Sequence, residues 1–96
     1  MPYEFSRRAA NDLEQIYLDG LDRFGQLQAD DYVSDLRNVL DLIAINPRLA
    51  RIRTEIDPPV RVHPHRSHMI VYRDQIVGVL ILRIRHAREN WAERPI

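Results

Sequence analysis

Apolar side chains recur along this chain at two different spacings, and the change from one to the other divides it. Tyr3 and Phe5 alternate with Pro2 and Glu4, which predicts a short strand with Pro2 suited to its start. Ser6 then offers a hydroxyl to cap a helix. Behind it Leu13, Ile16, Tyr17, Leu21 and Phe24 recur every three or four residues, while Asp12, Glu14, Asp19, Asp22 and Arg23 take the other face. This amphipathic helix is expected to end at Gly25. A second helix carries Ala29, Tyr32, Val33, Leu36, Val39, Leu40 and Ile43 until Asn46-Pro47 stops it, and the short link at Gly25 folds the two into an antiparallel hairpin.

Residues 48–59 mix charge with two prolines and read as a connection. Three β-rich runs follow at 60–63, 69–73 and 76–85, separated by His65-Arg66-Ser67-His68 and by Asp74-Gln75. Links that short force neighbouring strands to run antiparallel. The tail 86–96 has room for one helical turn around Glu89 and Trp91 before Pro95. The expected fold is α+β: a strand, a two-helix hairpin, then a three-stranded antiparallel sheet with a short C-terminal turn.

In the last strand, strict alternation puts Leu80, Leu82 and Ile84 on one face and Val79, Ile81, Arg83 and Arg85 on the other. One helix hairpin covers one side of a sheet. Val79 and Ile81, with Met69 and Val71, are therefore expected to face water, forgoing about 1.5–3 kcal/mol each. A partner chain is the expected remedy, since apolar patches rimmed by charge mark interfaces. The alternative is that the C-terminal turn with Trp91 folds back over them.

Ninety-six residues suit one domain, 1–96, with 45% hydrophobic and 29% charged residues placing it among folded chains. Cysteine is absent, which excludes disulfides, thiolate metal sites and a cysteine nucleophile. The opening has no apolar signal-peptide region and no stretch approaches the length of a membrane helix, so a cytoplasmic protein is expected. The formal net charge of zero conceals a polarity. Through Asn46, nine acids oppose four arginines, a net of −5; from Pro47 onward, ten arginines oppose five acids, a net of +5. All 14 basic residues are arginine, whose planar fork suits carboxylate or phosphate, so the second half favours an acidic partner.

Arg61, Arg66, Arg83, Arg85 and Arg88 come from neighbouring strands or their ends and can gather into a cationic patch. His63 and His65 share a strand face and with His68 form a weak zinc pattern, but no cysteine or nearby carboxylate completes it, and neither a metal nor any other cofactor is expected. His86 ends the apolar strand, where it is expected to pin the C-terminal turn or else serve as a general base.

Several segments together resemble the ParE toxins of the RelE/ParE superfamily. They are the opening Tyr3-Glu4-Phe5-Ser6-Arg7-Arg8-Ala9-Ala10-Asn11-Asp12-Leu13, the helix stop Asn46-Pro47, the run 61–72 containing His68-Met69-Ile70-Val71-Tyr72, and Ile81-Leu82-Arg83-Ile84-Arg85-His86 with Arg88. The resemblance implies the toxin of a type II toxin–antitoxin system, neutralised by a ParD-like antitoxin whose acidic C-terminal segment wraps it. It also implies inhibition of DNA gyrase, with no membrane partner and no sequence-specific nucleic-acid binding. Antitoxin contacts are expected at Tyr17, Met69, Val71, Arg73, Val79, Ile81 and Arg83, and the toxic surface at Arg61, Arg66, Arg85, His86, Arg88 and Trp91.

RelE-like members of the superfamily cut message on the ribosome with basic residues and a C-terminal tyrosine. Here lysine is absent and Trp91 stands about where that tyrosine would be. Indole has no accessible pKa for proton transfer, which argues against that chemistry. A nuclease site built on Arg61, Arg83 and His86 is the alternative reading.

Overall fold

The computed structural model describes residues 3–96. The chain runs β1 (Tyr3–Phe5), α1 (Arg7–Phe24), α2 (Gln26–Ile45), a 3-10 turn (Pro47–Leu49), β2 (Ile52–Arg53), β3 (Val60–His65), β4 (His68–Asp74) and β5 (Val79–His86). Pro2, expected at the first strand's start, lies outside the described residues. Ser6 caps α1 as its spacing predicts: its Oγ accepts from Ala9 N–H at 3.0 Å. Gly25, at φ +88°, separates the helices. The two helices press close where Gly20 meets Ala29; a Cβ added at Gly20 would lie 3.2 Å from the Ala29 Cβ.

The described residues form a five-stranded sheet in the order β1-β5-β4-β3-β2. β2 to β5 pair antiparallel, whereas β1 lies parallel to β5, with Tyr3 opposite Val79 and Phe5 opposite Ile81. Two strand boundaries differ from expectation by more than one residue. β3 continues to His65, so its link to β4 is a tight turn at Arg66-Ser67, with Arg66 at φ +52°. β5 begins only at Val79, because Gly78 at φ +78° lets its carbonyl accept from Gln75 N–H and close a turn that leaves Ile76 and Val77 in solvent. The tail makes a turn, in which Glu89 N–H donates to His86 O at 3.0 Å. No helix among the described residues is long and apolar enough to cross a membrane.

The sheet's faces are set by a β-bulge. Val71 pairs with Arg83 but Tyr72 pairs with Ile81, so Leu82 is an extra residue that breaks the alternation of β5. Val79, Ile81 and Ile84 consequently share the helix side, in one core with Leu36, Leu40, Ile43, Ile70 and Tyr72. This corrects the expectation that Val79 and Ile81 face water; both are fully buried beneath the hairpin.

The opposite face carries a second, smaller cluster of Ile56, Val60, Val62 and Val71, with Met69, Leu82 and Trp91 packed against it. Val71 is thus also buried, and the chain's own connection and tail shield this side, with Met69 left half-buried. The alternative covering by Trp91 is the one the fold adopts, so the sheet does not by itself demand a partner.

Candidate functional site

Where β1 stops at Phe5, the edge of β5 lies open, and the start of α1 closes it. Ser6 N–H donates to Ile81 O at 2.9 Å, and Ser6 Oγ donates to Leu82 O at 2.7 Å. One turn on, the Asp12 carboxylate accepts from Ile84 N–H at 2.9 Å and from Arg83 Nε and Nη2 at 2.6 and 2.9 Å. That pairing holds the Arg83 guanidinium all the more firmly in its charged form. At the other side of the sheet, Arg61 donates to Asp74 through Nε and Nη2 at 2.9 and 3.1 Å, and through Nη1 to Ala50 O at 2.7 Å. Arg61 is only 8% exposed. Arg61, expected on the toxic surface, and Arg83, expected on the antitoxin rim, are both engaged in internal ties.

The remaining predicted residues divide between paired and free. Arg85 donates to Glu89 at 2.9 Å and to the Arg94 carbonyl, binding the tail to β5. Trp91 packs on the second cluster with the Arg53 guanidinium 5.7 Å above its ring. Tyr17 donates to Asp30 at 2.6 Å across the hairpin, and that bond raises its pKa. Arg73 and Arg88 are exposed and make no ion pair among the described residues.

The nuclease constellation of Arg61, Arg83 and His86 does not assemble. Arg61 lies opposite Tyr72, which lies opposite Ile81, and His86 is five residues farther along β5, about 15 Å at the usual strand rise.

Three histidines do come together, at the sheet end that carries the β3–β4 turn. His65 pairs across the turn with His68, and His68 pairs with His86. The His68 and His86 rings meet edge to face at 5.3 Å, and Tyr32 of α2 stands against His65 and His68 at 5.7 and 5.6 Å. Tyr32 OH lies 2.6 Å from His68 Nδ1, and Arg88 N–H donates to His86 Nδ1 at 3.1 Å. His86 thus pins the following turn, one of its two expected roles. The cluster contains no group of three or more His, Cys, Asp or Glu able to hold a metal, and none occurs elsewhere among the described residues.

Burial, then the neighbouring His86 and His65, pushes the His68 pKa below its ordinary 6.5, outweighing Glu89 and Asp12. The unfolded chain therefore binds a proton that the native chain refuses, so stability falls as pH drops from 6.5 toward the native His68 value. The slope is at most about 1.4 kcal/mol per pH unit for one such group. Urea unfolding between pH 5 and 7 should show this decline, and His68→Gln should flatten part of it; an unchanged slope in the variant would remove His68 as its source.

Tyr32 and Asp12 were legible only as a core position and a solvated helix face. A tyrosine in an apolar stripe carries a polar tip that needs a partner, which is the one signal that could have singled it out.

Comparison with known proteins agrees with this architecture. The family model described as ParE toxin of type II toxin-antitoxin system, parDE, matches residues 3–91. Toxin ParE1 of Mycobacterium tuberculosis is 36% identical over 87 residues, covering 90% of this chain and 89% of that protein. Toxin ParE1 of Caulobacter vibrioides is 34% identical over 89 residues, covering 93% and 92%. A solved structure from the chromosomal ParDE TA system of P. aeruginosa superposes with a TM-score of 0.77 at 24% identity, covering 90% of this chain and 95% of that one, and so shares the fold. With the family matched along nearly its whole length, the chain belongs to the ParE toxins of type II toxin–antitoxin systems.

Proposed function

We propose that this toxin acts in the cytoplasm by binding and inhibiting DNA gyrase, and that a ParD-like antitoxin neutralises it by direct contact. The family match over residues 3–91 carries the reading. That the nuclease constellation of Arg61, Arg83 and His86 does not assemble supports a binding inhibitor over that catalyst. Lysine is absent, Arg61 and Arg83 are already committed to Asp74 and Asp12, and His86 stands far from Arg61.

Of the sheet face and the hairpin, both expected to meet the antitoxin, the hairpin is the better placed. Val71, Val79 and Ile81 are core, but Leu18, Phe24, Leu27, Leu42 and Ile45 are exposed on the helices, beside Tyr17. Apolar side chains left bare on two helices suit an amphipathic partner segment, and Arg73, unpaired on the outer face of β4, suits an acidic one. For the toxic surface Arg66, Arg88 and His86 remain accessible at the sheet's histidine end.

Purified toxin added to a gyrase supercoiling reaction should block it, and the antitoxin encoded beside it should restore supercoiling. Cleavage of message in a translation reaction, with supercoiling untouched, would overturn the proposal in favour of RelE-type ribonuclease action.

A further inference from the structure

Between α1, α2 and the histidine end of the sheet lies a cavity of about 650 Å³, within the size range of small-molecule sites. Its walls combine two chemistries. Tyr32, Phe24, His68 and His86 supply ring faces and edges, and Arg23, Arg66 and Arg88 bring guanidinium groups from three separate parts of the chain. Asp19 also lines it, occupied by the Gln15 amide at 3.0 Å. Arg23 and Arg88 make no ion pair among the described residues, and the Arg66–Asp35 pair at 2.8 Å is exposed and readily exchanged for a stronger anion. Arg23 also complements the α1 dipole in the last turn. Arg66 occupies the positive-φ position of a tight turn, where glycine or asparagine is the usual choice, with its guanidinium 5.8 Å from the Tyr32 ring.

One imidazole lining the cavity is set as a donor. Arg88 N–H donates to His86 Nδ1, which leaves the ring proton on Nε2. Tyr32 OH and His68 Nδ1 share a hydrogen bond of 2.6 Å, and burial keeps Tyr32 protonated and His68 neutral. Aromatic walls beside arginines and a ring N–H donor fit a planar aromatic group joined to a phosphate. We propose that this cavity binds a nucleoside monophosphate, its phosphate held among Arg23, Arg66 and Arg88 and its base against Tyr32 and Phe24. The cavity shares Arg66, Arg88 and His86 with the surface proposed for gyrase and Phe24 with that proposed for the antitoxin, but its argument rests on neither reading and stands if either fails.

Calorimetric titration of the full chain with guanosine and adenosine 5′-monophosphates tests this. Saturable one-site binding is expected, at least tenfold weaker in Arg23→Ala/Arg88→Ala, which alters exposed unpaired side chains and spares the fold. Arg48→Ala, a remote exposed arginine, should bind as the parent does. Four results would each overturn the proposal: no saturable binding of either nucleotide, equal weakening by Arg48→Ala, inorganic phosphate binding as tightly as the nucleotides, or binding confined to a single-stranded oligonucleotide.

Discussion

Ile81→Asp is expected to abolish folding. Ile81 is wholly buried between β1, β4 and the helix hairpin, and its backbone carbonyl receives the Ser6 N–H. Truncating such a side chain costs about 2–5 kcal/mol through lost burial and the cavity left behind. A carboxylate placed there must in addition either shed its hydration or bind a proton, at a further cost of several kcal/mol. Together these match the whole stability of a small domain, about 5–15 kcal/mol. Far-ultraviolet circular dichroism and urea titration should find no cooperative transition; a midpoint near the parent's would contradict the burial. Strict alternation along β5 assigns the same substitution a different effect, weaker antitoxin binding in an intact protein, and the bulge at Leu82 is what separates the two outcomes.

Asp12→Ala is expected to destabilise the protein by about 3–5 kcal/mol, the range for removing one partner of a buried ion pair. The Asp12 and Arg83 side chains are 16% and 18% exposed, so neither is well served by water. Removing the carboxylate leaves the Arg83 guanidinium without its two acceptors and the Ile84 N–H without its partner. Replacing both residues, as Asp12→Ala/Arg83→Met, should recover part of the loss, since an apolar side chain needs no counter-charge. The measurement is urea-induced unfolding of both variants beside the parent. A loss below about 1 kcal/mol for the single variant would give the pair the small worth of a surface ion pair instead.

The helical hairpin was legible because its apolar residues keep one period for nearly 40 residues and its ends carry Ser6, Gly25 and Asn46-Pro47. The antiparallel β3-β4-β5 core was legible for the same kind of reason. What the pattern hid are features with no period of their own. β2 has two residues, too few to alternate. The parallel pairing of β1 with β5 joins segments that nothing local connects. A single extra residue at Leu82 reverses which side chains meet the helices, and neither neighbour marks it with a glycine. The arginines drew notice as a group, but a sequence does not tell an arginine held by a distant aspartate from one left free. Arg61 and Arg83 belong to the first kind, Arg23, Arg73 and Arg88 to the second.

The adjacency of the first strand to the last sets an order on synthesis. β3, β4 and β5 are joined by tight turns and can pair as they emerge, but the bonds that seat β1, Ser6 and Asp12 on the sheet wait for β5, 71 to 76 positions downstream for the side-chain bonds. The helices made first have no completed floor to settle on until β5 has cleared the ribosome. A translation product halted ahead of Val79 therefore lacks the seat of its own N-terminal helix, and an interrupted message yields no finished toxin.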